Sequence, residues 1–244
     1  MFRYERLSEN QGGAGGFSRG VKLAAESGFD YLWLMDDDCF PEKTALESLM
    51  SAANDLNGRF GWLSGVCLWT DHSICRMNVQ RKTPFQDLHD FSREKTEAQM
   101  ASFVSLLVPA ASVIRYGLPI QEFFIWGDDW EYTRRISRNE KCYVIGNSRV
   151  IHAMKNNTVV SIAEDEQERL PRYTYAYRND VYIYRREGLK GWVWLLAKNI
   201  WHSMKTLRMH HPERLKIIWN GFWEGIQFHP VSEMICEEGT RNCG

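Results

Sequence analysis

"YLWLMDDDCF", residues 31–40, runs five largely apolar residues directly into three consecutive aspartates. A short apolar run bounded by polar residues reads as a buried β-strand, here Tyr31 to Met35. Adjacent carboxylates repel one another unless water or a cation offsets them, and Pro41 follows closely, so a solvated turn would account for the acids. An extended backbone, however, points alternate side chains to the same side, which places Asp36 and Asp38 together. One or two carboxylates, with the other positions left to water and phosphate, are what Mg2+ or Mn2+ accepts at phosphate-handling sites. The acids therefore mark either a plain turn or a cation-binding strand end.

Upstream of this stretch, Arg3 to Leu7 is expected to form a short strand, followed by the loop "ENQGGAGGFSRG" at 9–20. Val21 and Ala24 have helical spacing between Phe17 and Ser27, and Gly28 stands where a helix C-terminal glycine belongs. Strand, glycine-rich loop, helix and strand in that order predict a parallel sheet covered by helices. Downstream, Thr44 to Leu56 reads as a helix, and "FGWLSGVCLWT" (60–70) and "SFVSLLVPA" (102–110) as strands. Between them, 71–99 is polar and supports no assignment. A helix is expected from about Asp128, carrying Tyr132 and Ile136, and "CYVIGNSRVIHAM" (142–154) reads as a strand pair or a strand with a turn.

Past Asn157 the texture changes. Leu215, Ile218, Trp219, Phe222 and Ile226 fall at helical spacing after Pro212, which suits a first helical turn. Trp192, Leu195, Leu196, Ile200, Met204 and Leu207 form a similar stripe. The expected division is a catalytic α/β domain over 1–163 and a helical region over 164–244.

A chain of 244 residues with 44% hydrophobic and 13% aromatic residues can build a sizeable core. Its net charge of −1 gives no global basic field, so no nucleic-acid partner is expected. Six cysteines, at 39, 67, 75, 142, 236 and 243, lack CxxC spacing and suit reduced thiols in a cytosolic protein. "MFRYERLSEN" is charged from its third residue, so no signal peptide is expected. "GWVWLLAKNIW" (191–201) contains Lys198 and is too short to span a bilayer, although it could rest on one.

Three constellations can carry chemistry. Glycines in "NQGGAGGF" (10–17) permit close backbone approach and leave helix N–H groups free for phosphate, although glycine loops often only turn the chain. In "FFIWGDDWEYTRR" (123–135), Asp128 and Asp129 precede a helix, where capping and the macrodipole alone favour carboxylates. They also stand between Trp126 and Trp130, and aromatics beside acids can hold a sugar ring while an acid takes a hydroxyl proton. His152 closes "RVIH"; a lone histidine after a strand is more often structural, but beside an acidic triplet it would complete a metal site.

In their order and spacing, "NQGGAGGFSRG", "LWLMDDD", "GLPIQEFFIWGDDWEYTRRIS" and "VIHAM" resemble the inverting glycosyltransferases of family 2. The likeness is greatest to bacterial galactofuranosyltransferases and rhamnosyltransferase-like enzymes, and runs from about Tyr4 to Asn157, with "YRNDVYIYRR" resembling the start of their C-terminal helices. It implies an α/β fold of GT-A (Rossmann-like) type, a mixed sheet with flanking helices, plus the helical C-terminal extension. It also implies a first β-α-β nucleotide-binding unit, for which few residues precede Asp36. The expectation is thus an N-terminally truncated domain.

By the same resemblance, Asp36, Asp38 and His152 would hold Mn2+ or Mg2+. Asp37, Asn10, Gly12, Gly13 and Arg19 would meet a UDP- or dTDP-sugar donor. Asp129 would be the general base, with Asp128 as its neighbour or substitute, and Trp126, Trp130 and Glu131 would meet the acceptor. The implied activity is transfer of a galactofuranose or rhamnose-like sugar to a cell-surface polysaccharide or lipid-linked glycan, in the cytoplasm at the inner face of the plasma membrane. Peripheral membrane contact and a homo-oligomer through the C-terminal helices are further expectations. Rival readings are a truncated, non-catalytic carbohydrate- or partner-binding remnant and a metal-dependent phosphotransferase.

Overall fold

The computed structural model describes residues 3–235. In chain order it contains α1 (Gly12–Glu26), β1 (Tyr31–Leu34), β2 (Cys39–Pro41), α2 (Ala45–Asp55) and β3 (Leu63–Leu68). A small hairpin follows, β4 (Arg81–Thr83) and β5 (Gln86–Asp87), then β6 (Lys95–Glu97), β7 (Leu106–Pro109) and α3 (Ala110–Tyr116). α4 (Asp128–Ser137) and β8 (Tyr143–His152) lead to three helices, α5 (Leu170–Arg185), α6 (Gly188–Arg208) and α7 (Leu215–Gln227).

The main sheet has six strands, with the path β1-β7-β3-β8-β2. β8 is shared on its outer side: β6 pairs with Tyr143–Ile145 and β2 with Val150–His152, both antiparallel. β7 is antiparallel to both β1 and β3, whereas β3 and β8 are parallel. It follows that β1, β3 and β8 point the same way, and their carboxyl ends share one edge of the sheet. The parallel sheet expected from element order alone gives way to the mixed sheet that the resemblance implies, since β7 separates β1 from β3. β3 is buried at all six positions and β7 at all four. Continuous apolar runs of this kind suit parallel and antiparallel neighbours alike once both faces are covered, so the sequence held no sign of direction.

The β3–β8 register slips between Gly65 and Val66, which face Ile145 and Arg149 respectively. Gln80 Nε2 donates to Gly65 O (2.7 Å) and Ser64 Oγ (2.9 Å), supplying a donor where the ladder breaks. "CYVIGNSRVIHAM" is thus one strand with an irregularity. α1 packs Val21 against Leu32, Phe103 and Val108 in the largest core cluster, and α4 adds Tyr132 and Ile136 to it. Trp62, fully buried, donates its Nε1–H to Thr133 O at 2.9 Å and so fixes α4 to the sheet layer.

Two expectations near the amino end are corrected. Residues 3–7 form no strand; Glu5 there pairs with Arg19 at 2.6 Å. The glycine run is not a loop but the first turns of α1, which begins at Gly12. Gly12 has φ +68°, and a Cβ on it would lie 2.0 Å from Phe124 O, so only glycine allows this close approach.

The C-terminal helices extend the same core. Tyr182 and Ile183 of α5 pack with Ala14, Met100, Ile120 and Phe123. Arg134 on α4 and Arg138 just past its end converge on Glu187, between α5 and α6, at 2.9 and 2.7 Å. Among the described residues no helix is long and apolar enough to cross a membrane. Cys39, Cys67, Cys75 and Cys142 are free thiols, while Cys236 and Cys243 lie outside the described residues.

Candidate active site

The acidic turn follows β1 at the sheet edge shared by the carboxyl ends of β3 and β8. Cys39 and His152 are cross-strand partners on β2 and β8, and Ala153 N donates to Asp38 O at 3.0 Å, which draws the turn over the end of β8. His152 Nε2 consequently lies 3.0 Å from Asp38 Oδ1 and 3.9 Å from Asp36 Oδ2. The imidazole is buried, Asp36 and Asp38 are half-buried, and Asp37 is exposed. Burial, then the charges of Asp38 and Asp37, push the Asp36 carboxyl above its ordinary value against the opposing pull of His152. Burial lowers His152, but hydrogen bonding with Cys75 and the charge of Asp38 outweigh it and leave the imidazole raised.

One ligand atom from each of Asp36, Asp38, Cys39 and His152 falls within 4.8 Å of the others. Two carboxylate oxygens and one imidazole nitrogen form a hard donor set with room for further oxygen ligands, which fits Mn2+ or Mg2+. Cys39 is buried and its thiol is pushed up to about 12, chiefly by burial and next by the charge of Asp36, so it stays protonated.

α4 begins at Asp128 with three acids in its first turn and Arg134 and Arg135 in its last, in agreement with the helix dipole. Burial and then the charge of Asp36 push Asp128 up to about 6, against the opposing pull of backbone hydrogen bonds. Asp129, whose Oδ1 accepts from Trp130 N at 2.7 Å, is raised well above the usual range by burial and by Asp128. Asp36 therefore acts electrostatically on both acids of α4. A carboxylate pair raised in this way can take a proton near neutral pH.

The approach to α4 is strained. Phe124, Trp126 and Gly127 all have positive φ, at 61°, 64° and 85°. Asn179 of α5, 1% exposed, offsets that strain with one amide: Nδ2 donates to Phe123 O (3.0 Å), Ile125 O (3.2 Å) and Trp126 O (2.8 Å). Arg178 reaches Glu122 O at 2.5 Å. Sequence reading missed both; the only available signal was their place in "YRNDVYIYRR", where nothing marks a helix residue as facing a distant loop.

The remaining residues singled out from sequence are distributed around this centre. Ala14 N donates to Phe124 O, and Asn10 Oδ1 accepts from Gly12 N at 2.9 Å, so the start of α1 adjoins the strained loop. Gly13 has open space beside it, and Arg19 is engaged by Glu5. Trp130 lies under the Arg81 guanidinium at 3.7 Å, and Trp126 meets Tyr173 edge-on at 5.1 Å. Glu131 is buried, with its carboxylate held by Arg135 at 2.9 Å.

Residues 1–61, which include the acidic turn, match the pattern of Glycosyl transferase family 2. The chain is 26% identical over 220 residues to galactofuranosyltransferase GlfT1 of Mycolicibacterium smegmatis, covering 78% of this chain and 70% of the relative. It is 23% identical over 234 residues to galactofuranosyltransferase GlfT1 of Mycobacterium tuberculosis, covering 84% and 76%. Among solved structures it resembles GalNAc-T7 with UDP, GalNAc and Mn2+, at TM-score 0.49 and 12% identity over 72% of this chain and 35% of that one.

Proposed function

We propose that this glycosyltransferase moves a galactofuranose or rhamnose-like sugar, with inversion, from a UDP- or dTDP-sugar to a cell-surface polysaccharide or lipid-linked glycan. The observation that carries the reading is the nearness of two acidic groups: Asp36, gathered with Asp38 and His152 at the acidic turn, is close enough to raise both Asp128 and Asp129 at the start of α4. Asp36, Asp38 and His152 would hold a divalent ion, which supplies charge neutralisation to the donor diphosphate. Asp37, exposed beside them, and Asn10, Gly12 and Gly13 at the start of α1 would meet the donor, with Arg19 farther along the helix.

Asp129 takes the acceptor hydroxyl's proton in this reading, while Asp128 raises its neighbour's affinity for that proton and accepts a second acceptor hydroxyl. Trp126 and Trp130 give the sugar apolar faces, whereas Glu131, expected to meet the acceptor, is buried with its carboxylate held by Arg135 and is left out of the reading. A base facing the donor's anomeric carbon from the side opposite the diphosphate gives a single displacement and inverted configuration. Galactofuranosyltransferase relatives at 23–26% identity favour galactofuranose among the donors. The exposed apolar residues of α6, among them Leu189, Val193, Ile200 and Trp201, support work at the inner face of the plasma membrane, beside a lipid-linked acceptor.

The test is direct. Purified chain is given Mn2+ and, in turn, UDP-galactofuranose and dTDP-rhamnose with a lipid-linked galactan acceptor, and the product is read by mass spectrometry and anomeric NMR. Transfer from one donor with inverted configuration is expected. Donor binding without transfer from either sugar would overturn the reading in favour of a binding protein.

A further inference from the structure

His152 has two ring nitrogens, and the carboxylates account for only one. While Nε2 faces Asp38 and Asp36, Nδ1 lies 3.0 Å from Asn78 Oδ1. Cys75 Sγ donates to the same oxygen at 3.1 Å, which by itself sets the amide with its oxygen inward. A carbonyl oxygen can only accept, which assigns the hydrogen to Nδ1 and leaves the lone pair of a neutral ring on Nε2, toward the acids. Were the amide nitrogen in that place, Nδ1 would have to accept, and the hydrogen would move to Nε2 and block a cation.

The chain holds Asn78 there deliberately in structural terms. After β3 it turns back on itself: Leu68 bridges Ile74, and Cys75 N donates to Cys67 O at 3.0 Å. Asn157 braces the returning segment by accepting from Arg76 N (2.8 Å) and donating to Ile74 O (3.0 Å). A single 3-10 turn, Arg76–Asn78, then brings Asn78 behind the imidazole.

We propose that Asn78 is a positioning residue of this enzyme: by accepting from Nδ1 it holds His152 in the tautomer whose Nε2 can ligate a divalent cation. The proposal rests on the reading of Asp36, Asp38 and His152 as cation ligands. It adds a residue that neither the sequence motifs nor the acidic cluster contains. Groups that accept from the distal nitrogen of a ligating histidine commonly change metal affinity by about 10–100-fold when removed.

The test uses the full chain, with Mn2+ affinity read by electron paramagnetic resonance and ring-nitrogen shifts read on 15N-histidine-labelled protein without metal. At about pH 9, where imidazole is neutral, the wild-type His152 spectrum is expected to show hydrogen on Nδ1. Asn78→Leu should weaken Mn2+ binding about 10–100-fold, and Asn78→Asp, whose carboxylate accepts from Nδ1 as the amide oxygen does, should retain it. Wild-type affinity in Asn78→Leu, or hydrogen on Nε2 in the wild-type spectrum, would overturn the proposal. The spectrum needs no variant, so misfolding of Asn78→Leu does not shield the claim. Loss of Mn2+ binding in Asn78→Leu, with melting temperature kept and binding retained in Asn78→Asp, supports it. A wild-type chain that binds no Mn2+ would overturn the cation reading itself, a result distinct from binding that survives Asn78→Leu.

Discussion

His152 Nε2 and Asp38 Oδ1 lie 3.0 Å apart although they are distant in the chain, because Cys39 and His152 are direct partners on neighbouring strands. The contact is fixed by sheet register, and a one-residue slip of β2 would turn its side chains to the other face and move the acidic turn with them. Removing either ligand should therefore abolish tight cation binding without unfolding the sheet. Asp38→Ala and His152→Ala are expected to lose stoichiometric Mn2+ binding in calorimetry, and chelation of the wild-type enzyme should stop transfer until Mn2+ or Mg2+ is returned. Full transfer in excess EDTA would contradict the assignment.

Asp129→Asn tests the base. An amide cannot take the acceptor's proton, and loss of a general base commonly costs about 10²–10⁴-fold in rate. Donor affinity should stay near the wild-type value, since the proposed donor contacts lie at the acidic turn and the start of α1. Unchanged turnover in this variant would transfer the role to Asp128.

The acid limb of the rate profile follows from the raised carboxyls. A base must be unprotonated to work, and burial with the neighbouring charge holds Asp129 above its ordinary value, with Asp128 at about 6. For the coupled pair, kcat/KM should rise with pH through roughly this range and level off above it. Asp128→Asn removes one negative neighbour from Asp129 while leaving burial in place, so the limb should move to lower pH. A limb that moves up, or stays fixed, would mean that Asp128 does not act on the base.

Much of this centre was legible because short-range chemistry wrote it. "LWLMDDD" is a strand running into acids, "GDDWEYTRR" has the acids and bases that a helix dipole favours at its two ends, and "VIH" ends a strand. What stayed hidden depends on contacts between distant segments. Nothing local says that the helix starts inside the glycine run, because the reason is Phe124 O pressing on Gly12. The insertion of β7 between β1 and β3 is equally silent, since an apolar strand carries no direction. Asn78 lies in the polar stretch that periodicity could not assign, and its value comes entirely from His152, far along the chain.

Asn179 offers a second case of a residue whose role lies in another segment. Its amide nitrogen faces three carbonyl oxygens of the loop before α4, so Asn179→Asp would set an acceptor-only group against three acceptors. Buried polar groups left without partners cost about 1–3 kcal/mol. Urea unfolding should show Asn179→Asp less stable than Asn179→Ala, with both below wild type, and kcat should fall in the variants that remain folded as the α4 acids lose their placement. Wild-type stability in Asn179→Asp would sink the clamp.

The C-terminal helices raise the question of what covers α6. Leu189, Val193, Leu196, Ile200, Met204 and Leu207 fall on one helical face and are 40–80% exposed, with Trp201 beside them at 63%. The helix carries Lys190, Lys198, Lys205 and Arg208 and no acid. Lys198 and Lys205 are answered by Asp180 and Glu164, each at 2.7 Å, so the uncompensated charge is positive. Two copies of such a face would bring like charges together, whereas an anionic bilayer accepts the apolar stripe, the tryptophan and the cations at once. Full-length chain should float with vesicles rich in phosphatidylglycerol and less with neutral ones, and Val193→Glu with Ile200→Glu should abolish flotation while leaving melting temperature and Mn2+ binding intact. Flotation that ignores lipid charge, or survives both glutamates, would remove the membrane as the partner. Dimers that the same glutamates dissociate in light scattering, with no flotation by the wild-type chain, would assign the face to a second copy instead.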